Sequence, residues 1–241
     1  MRERKWRDGP TNNRTRWGCA RVTFKDRADA GTELAEALAV YADRPDALVL
    51  ALPRGGVPVG YEVARRLRLP FDVYVVRKLG VPGHAELAMG ALAGDGTCVV
   101  DENLIASLRL DDETLQDVIH LEAEEIRRRE EAYRDRRPQA DVAGKIAILV
   151  DDGLATGATM RAAATALRRY NPAEIVVAVP VAAYQTCLAL REVADSIVCP
   201  FTPEPFIAVG LYYENFDQTS DDEVRRLLAQ AEERTGRRMS A

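Results

Sequence analysis

The chain has 241 residues, of which 47% are hydrophobic and 29% charged. This length and composition suffice for one α/β domain with a full core. The 33 Lys and Arg residues against 38 Asp and Glu residues give a net charge of −5, which provides no global field for nucleic acid or an anionic membrane. An anionic ligand must therefore be held by local donors.

The four cysteines, at positions 19, 98, 187 and 199, are dispersed without Cys-x-x-Cys spacing or a nearby histidine pair, which disfavours a zinc site. Three of them lie in apolar surroundings and are predicted to be core thiols. No stretch reaches the roughly eighteen apolar residues of a membrane span, and the basic start lacks the apolar segment of a secretion signal. We therefore expect a reducing cytoplasmic location and no membrane partner.

Residues 1–24 are basic, rich in turn formers and without apolar periodicity, which predicts a flexible N-terminal tail. Its two tryptophans leave docking on the domain open, and its basic residues leave RNA contact open, although the net charge disfavours nucleic acid. Residues 25–241 are predicted to form a single domain. It begins with a helix that Asp26 caps and that carries apolar residues at helical spacing as far as Tyr41.

A buried-strand pattern over residues 47–52 runs directly into Arg54, Gly55 and Gly56, and a helix is predicted from there through Leu67. Two glycines let backbone amides approach an anion closely, and arginine offers a forked, charge-assisted contact. An ordinary tight turn between strand and helix explains the same residues. The pattern alone leaves both interpretations open.

Residues 71–76 are predicted to form the next strand, which runs into Arg77, Lys78 and a segment rich in glycine and proline. Apolar residues return over 87–93 and 97–100, so we expect a hairpin-like excursion. Two helices should follow, a short one after Asp101 and a long one from Asp112 to Arg137. The dense alternating charge of the long helix is typical of an exposed helix laced by ion pairs.

Residues 148–160, with the sequence ILVDDGLATGATM, are the most informative stretch. A strand ends in Asp151 and Asp152, a loop of small residues follows, and a helix is predicted to begin near Thr159. Backbone N–H groups and hydroxyls over 156–159, assisted by the positive end of the helix dipole, suit a phosphate group. The two carboxylates can accept hydrogen bonds from sugar hydroxyls or hold water on a divalent cation. The fingerprints of nucleoside triphosphate and dinucleotide sites are missing.

The rest of the chain continues the alternation, with strands predicted over 174–181 and 196–199 and a helix over 184–193 between them. This order predicts a doubly wound, mainly parallel α/β sheet with ligands above the carboxyl ends of its strands. Residues 201–218 are rich in proline and aromatic residues, which suits stacking on a flat ring. A C-terminal helix is expected over 219–235.

The segment from Ile148 to Thr159 (apolar residues, Asp-Asp, two residues, Ala-Thr-Gly-x-Thr) resembles the phosphoribosyl pyrophosphate (PRPP) signature of the type I phosphoribosyltransferase family. The resemblance covers most of residues 48–216. It implies that family's Rossmann-like, doubly wound fold with a flexible loop and a small hood, which the resemblance places near residues 201–218. It also implies an enzyme that, with Mg²⁺, displaces pyrophosphate from C1 of PRPP by a nitrogen acceptor.

The resemblance assigns roles to the loops described above. Asp151 and Asp152 are expected on the ribose hydroxyls and, through water, on Mg²⁺. The other expected PRPP contacts are Arg54, Gly55 and Gly56 for pyrophosphate, Arg77 and Lys78 in a mobile basic loop, and Ala155, Thr156, Gly157, Ala158 and Thr159 for the 5-phosphate. Lys78 joins the two aspartates as a catalytic candidate. For proton transfer Glu86 is favoured over His84, although both suit an ordinary solvated loop.

The resemblance narrows the range of possible acceptors without identifying one. Hypoxanthine and guanine enzymes of the family carry an acid at the position of Ala155, and the motif is nearer to that of adenine enzymes. The segment from Arg77 to Gly90 lacks their longer loop, so a purine-like base, within nucleotide metabolism and purine salvage, is favoured without being fixed. Candidate acceptor contacts are Val181, Ala182 and the hood residue Phe206; aromatic residues that merely pack against the last helix are the alternative explanation.

Two other classes of function stay open. One is a regulatory protein of the same fold that senses PRPP or a nucleotide without turnover. The other is a scaffold that uses the charged helix over 112–137 as a partner surface. Apart from the small-molecule ligands, a homodimer also remains open.

Overall fold

The computed structural model describes residues 5–6, 23–134 and 139–239, without the side chains of residues 5–6, 85–86 and 235–239. The strands are β1 (Lys5–Trp6), β2 (Ala47–Ala51), β3 (Phe71–Val73), β4 (Val76–Val81), β5 (His84–Ala93), β6 (Cys98–Val100), β7 (Ile146–Val150), β8 (Glu174–Ala178) and β9 (Ser196–Val198). The helices are α1 (Arg27–Ala37), α2 (Gly56–Leu67), α3 (Glu102–Leu108), α4 (Asp112–Arg134), α5 (Ala158–Leu167), α6 (Tyr184–Leu190) and α7 (Asp221–Met239).

A parallel sheet with the strand order β1-β9-β8-β7-β2-β3 lies at the centre of the domain. Strands β2 and β7 are buried along their whole length, which explains their unbroken apolar sequences. Successive side chains point to opposite faces, so Leu48 and Leu50 pack with α5 and α6, while Ala47 and Val49 pack with α1 and α2. Helices on both faces confirm the predicted doubly wound α/β fold.

The strand predicted over residues 71–76 is in fact two strands in different sheets. Strand β3 ends at Val73 beside β2, and β4 begins at Val76 in a separate antiparallel sheet with the order β4-β5-β6. The two residues between them are buried, so the apolar run continues through the change of sheet and hides it. The small sheet is the expected hairpin excursion, with its tight turn at Pro82 and Gly83.

Helices α4 and α7 pack on the small sheet and on α2. Apolar residues of α4, including Ile126 and Tyr133, share a buried cluster with Leu79 and Met89 of the small sheet and with Val224 of α7. The exposed side of α4 carries the expected ion pairs, such as those of Glu125 with two arginines. Residues 135–137 of the predicted helix lie outside the described residues. No helix in the described ranges is long and apolar enough to cross a membrane.

The predicted N-terminal tail lies mostly outside the described residues. Lys5 and Trp6 are described, and as β1 they pair with β9 at the edge of the main sheet. Of the cysteines, Cys187 and Cys199 are buried as predicted, whereas Cys98 is exposed because β6 is an edge strand of the small sheet. Cys19 lies outside the described residues.

Candidate functional site

Two loops meet at the carboxyl ends of the neighbouring strands β2 and β7. The strands run in register, with Ala51 opposite Val150, and the Leu52 N–H donates to the Val150 carbonyl. The loop after β2 therefore lies directly beside Asp151 and Asp152, which follow β7. This is the edge at which a doubly wound sheet binds its ligands.

The glycines of the first loop touch the acidic pair. A Cβ atom on Gly55 would lie 2.2 Å from Asp152 Oδ2, and one on Gly56 would lie 2.7 Å from the Val150 carbonyl and 3.1 Å from Asp151 Oδ1. At Gly56 the nearest atoms are backbone, so that position requires glycine, whereas a side chain at Gly55 would have to displace the Asp152 carboxylate. The glycines thus let the loop after β2 close on the carboxylates, a reason that the sequence pattern did not reveal.

The carboxylates of Asp151 and Asp152 lie close to each other with little access to water. The Asp152 N–H donates to Asp151 Oδ1 at 2.9 Å. Burial raises the pKa of both carboxyl groups, and the neighbouring charge of Asp152 raises the pKa of Asp151 further. The positive charge of Arg27 opposes both shifts. An anionic pair in this setting calls for a cation or for hydrogen-bond donors.

Arg27, the first residue of α1, is a site residue that the sequence did not indicate. Its Nε donates to Asp152 Oδ2 at 2.9 Å, and its Nη1 donates to the Asp217 carbonyl at 2.7 Å. Its guanidinium carbon lies 4.0 Å from the centre of the Phe216 ring. Arg27 and Asp152 are 125 residues apart in the chain, so local patterns could not pair them. The one available signal was an arginine next to the positive end of a helix dipole.

The loop after Asp152 leads into α5, which begins at Ala158, one residue before the predicted start. Gly157 adopts a left-handed conformation with φ 71° and has no side chain to cap the helix, and the Ala158 N–H makes only a long contact of 3.5 Å to Thr156 Oγ1. Ala155, Thr156 and Thr159 are exposed around this turn. The five residues predicted to bind phosphate therefore form one accessible N-terminal helix turn.

Arg54 is held by residues from the last helix. Its Nη1 lies 3.7 Å from Asp221 Oδ1, and Asp221 also accepts hydrogen bonds from Tyr133 Oη at 2.6 Å and from Arg128 at 3.1 Å. The Tyr133 hydrogen bond is the main reason why the pKa of Asp221 is lowered. Arg129 donates to the Pro53 carbonyl at 3.4 Å. Helices α4 and α7 thus support the loop after β2.

The small sheet separates the two basic residues that the sequence places side by side. Arg77 is in β4 and pairs with Glu122 of α4 at 2.5 Å. Lys78 points to the opposite face of the strand, where its partner in register, Ala91, packs with residues of α5. Lys78 therefore lies on the face of β4 that meets α5, and Arg77 lies on the other face. The residues expected in a loop belong largely to β4 and β5.

Of the two candidates for proton transfer, His84 is exposed at the start of β5. The backbone of Glu86 belongs to the same strand, and its side chain lies outside the described part of the structure.

The hood covers the acidic pair from the other side. Tyr213 Oη donates to the Asp152 carbonyl at 2.6 Å, and Tyr213 shares an apolar cluster with Val181. Val181 and Ala182 are both fully buried, whereas Phe206 is partly exposed and stacks on Tyr212 with 5.5 Å between ring centres. Of the three predicted acceptor contacts, Phe206 alone has a side chain that is accessible in this conformation.

The residues of the site fit a hydrated divalent cation. Within the described ranges, no group of three or more His, Cys, Asp or Glu side chains is arranged to hold a metal. Two adjacent carboxylates are nevertheless the donor set that Mg²⁺ commonly uses when water and substrate phosphates complete its octahedron. Asp151 and Asp152, which lie between the loop after β2 and the first turn of α5, match that chemistry.

Comparison with known proteins defines the class of this protein. Residues 24–214 match the model of the phosphoribosyl transferase domain. Together with the relatives below, this match shows that the chain belongs to the phosphoribosyl transferase family, as the motif over 148–160 predicted.

The chain is 45% identical over 208 residues to proteins of two Mycobacterium tuberculosis strains that bear the name "Putative phosphoribosyl transferase". The aligned part is 86% of this chain and 47% of those proteins, so the chain spans about half the length of these curated relatives. This chain is also similar to TT1426 from Thermus thermophilus, of which there is a crystal structure. The two are 41% identical with a TM-score of 0.79, and the match covers 86% of this chain and 98% of TT1426.

Proposed function

We propose that this protein binds PRPP with Mg²⁺ and transfers the phosphoribosyl group to a nitrogen acceptor, with a purine-like base favoured and pyrophosphate as the second product. One observation carries the proposal: a buried carboxylate pair lies between a glycine loop with an arginine and the open N-terminal turn of a helix. Such a site suits a ligand that has a polyol between two anionic groups. Membership of the family supports the same ligand.

Each part of PRPP has a matching part of the site. The first turn of α5 and the hydroxyls of Thr156 and Thr159 would bind the 5-phosphate. Asp151 and Asp152 would accept hydrogen bonds from the ribose hydroxyls and hold water on Mg²⁺. The backbone of the glycine loop and the guanidinium of Arg54 would bind pyrophosphate. When it is bound, Mg²⁺ supplies positive charge that stabilises the leaving group.

In the reaction, the bond between C1 of the ribose and the pyrophosphate oxygen breaks and a bond from C1 to the acceptor nitrogen forms. Positive charge develops on the ribose ring while negative charge builds on pyrophosphate. Arg54 on one side and Lys78 on the face of β4 that meets α5 would balance the charge of the leaving group. The hood, anchored to Asp152 through Tyr213, would keep water from the reacting carbon.

The proton of the acceptor nitrogen needs a separate group. Ala155 occupies the position of the acid that hypoxanthine and guanine enzymes carry in the motif, so proton removal would fall to another residue. We assign it to Glu86 of β5, with His84 of the same strand as the alternative. If both Glu86→Gln and His84→Asn keep full activity, neither residue removes the proton, and water takes it instead.

The decisive experiment is a pyrophosphate-release assay with PRPP, Mg²⁺ and a panel of purines, pyrimidines and other nitrogen heterocycles. Asp151→Asn and Asp152→Asn are expected to reduce release by about 100-fold or more, because each removes a carboxylate that would bind the ribose hydroxyls and hold water on the metal. Asp117→Asn is the matched control, since Asp117 is an exposed aspartate of α4. It is expected to retain full activity.

Calorimetry separates the proposal from its alternatives. If the wild-type protein does not bind PRPP in the presence of Mg²⁺, the proposal is wrong. Binding that is lost in Asp151→Asn but gives no pyrophosphate with any acceptor would indicate a sensor of PRPP rather than an enzyme.

A further inference from the structure

Arg27 lies at a helix position that disfavours a cation. It is the first residue of α1, directly after Asp26, whose side chain caps the helix by accepting from the Asp29 N–H. A positive charge in the first turn is repelled by the helix dipole, and acidic residues are preferred there. The helix itself therefore gives no reason for this arginine.

The contacts of Arg27 supply the reason. The guanidinium bonds to a carboxylate oxygen of Asp152 and to the carbonyl of Asp217, and it stacks on the Phe216 ring. The side chains of Arg27 and Asp152 are only 11% and 14% exposed. One planar group thus joins the acidic pair to the end of the hood, in a setting that shields the charges from solvent.

The backbone brings the same two regions together. The N–H of Phe24 donates to the Tyr212 carbonyl, and the N–H groups of Glu214 and Asn215 donate to the carbonyls of Phe24 and Lys25, all at 2.8–2.9 Å. The start of α1 is therefore fixed to the hood up to residue 215. Beyond residue 215, the start of α1 contacts the hood through the Arg27 side chain, which reaches Phe216 and Asp217.

We propose that Arg27 is a positioning residue that fixes the hood over Asp152, and that it thereby sets the distance between the acceptor subsite and the subsite of the ribose hydroxyls. In this role Arg27 acts through the hood and Asp152 rather than on the reacting atoms. Its kinetic effect rests on the proposed function, whereas its effect on the hood does not.

Hydrogen exchange measured by mass spectrometry tests the proposal without any substrate. Arg27→Gln is expected to speed exchange in residues 213–218 by roughly tenfold, because a charge-assisted pair and a stacking contact are lost together. Exchange in β7 and β8 should stay at its wild-type rate. Arg44→Gln is the matched control, since it removes an arginine–aspartate pair at an exposed place, between Arg44 and Asp46.

Two further variants separate the contacts of Arg27. Phe216→Leu keeps the bond to Asp152 and loses the aromatic ring, so a smaller increase in hood exchange is expected. Arg27→Lys keeps the charge and loses the planar fork, so it should restore part of the protection that Arg27→Gln loses. If hood exchange in Arg27→Gln equals that of the wild type, the proposal fails whatever the catalytic activity.

Steady-state kinetics supplies the second readout. With an acceptor that gives turnover, Arg27→Gln is expected to raise the KM of both substrates, because Asp152 loses its ion-pair partner while the hood is released. Phe216→Leu, which keeps the bond to Asp152, is expected to raise the KM of the acceptor by roughly threefold and to leave that of PRPP unchanged. A larger change for PRPP than for the acceptor in Phe216→Leu would overturn the assignment. If the wild-type protein shows no turnover, the proposed function fails, while the exchange experiment still decides the role of Arg27.

Discussion

The two loops beside the acidic pair differ in how they are built. The loop after β7 is self-contained in its expected ligand contacts: within five residues it provides a left-handed glycine, exposed hydroxyls and the N–H groups of α5, and Thr186 of α6 supports it by donating to the Ala155 carbonyl. The loop after β2 depends on distant elements, because Arg54 is held by Asp221 of α7 and the Pro53 carbonyl by Arg129 of α4. The functional residues of a self-contained loop can be identified from sequence. For a loop supported by distant elements, such as the loop after β2, the supporting residues are seen only in the fold.

The largest effect is expected in the self-contained loop. Gly157→Ala places a methyl group in a left-handed conformation and 2.6 Å from Thr186 Cγ2, which must move the turn that would hold the 5-phosphate. We expect PRPP affinity, measured by calorimetry with Mg²⁺, to fall by roughly 30-fold or more, since several charge-assisted hydrogen bonds depend on this turn.

Gly144→Ala is the control for that prediction. Gly144 has φ 69°, close to the 71° of Gly157, but a Cβ atom at this position would meet no other atom within 4 Å. Both variants carry the same backbone strain, of about 1 kcal/mol, and Gly157→Ala alone disturbs the site. Equal PRPP affinities in the two variants would contradict the assignment of the loop.

A moderate effect on the stability of the ligand-free protein is expected for the acidic pair between the loops. The pKa of Asp151 is raised in the folded protein by burial, above the value of about 3.9 for an unfolded chain. At pH values between the pKa of the unfolded and that of the folded protein, the native state binds more protons than the unfolded state. The free energy of unfolding therefore falls as pH rises through this window. Asp151→Asn removes the buried charge and should raise the Tm of the ligand-free protein at pH 7 by roughly 2–4 °C.

Below about pH 4 the same variant should give no gain, because the wild-type carboxyl group is then protonated in both states. Thermal unfolding at pH 7 and pH 4 checks the prediction. Asp117→Asn on exposed α4 should change the Tm at neither pH. A lower Tm for Asp151→Asn at pH 7 would show that the buried charge is fully balanced in the empty site.

The smallest effect is expected in the supported loop. Asp221→Asn keeps an oxygen for Tyr133 Oη and removes the negative charge that lies 3.7 Å from Arg54. Since ion pairs of partly exposed groups are weak, we expect pyrophosphate affinity with Mg²⁺ to rise by only about threefold. Asp222→Asn is the control, because Asp222 is exposed and pairs with Arg225. Weaker binding in Asp221→Asn would show that Asp221 positions Arg54 rather than competing for it.

The sequence sufficed for those parts of the fold whose signal is local. The buried strands β2 and β7 follow from unbroken apolar runs, and the residues of both loops follow from the strand ends. The change of sheet between Val73 and Val76 could not be seen, because burial in either sheet selects the same apolar residues. Periodicity reports burial and does not report which sheet receives a strand.

In the candidate site, the sequence missed the residues that act across long distances in the chain. The bond of Arg27 to Asp152 and that of Tyr133 to Asp221 join residues 125 and 88 positions apart. Val181 and Ala182 were predicted as acceptor contacts in a wall that faces the hood, and both are fully buried in this conformation. Where a strand ends is readable from sequence, but what covers that end is decided by packing.

The contact between Gly55 and Asp152 couples two positions that are far apart in the sequence. With only 2.2 Å between the Asp152 carboxylate and a Cβ at position 55, even alanine at that position has to displace the carboxylate from its bond to Arg27. Single substitutions at Gly55 should therefore reduce ligand binding, and smaller residues at position 152 should relieve the clash. Substitutions in the two loops depend on each other, so both loops have to be redesigned together.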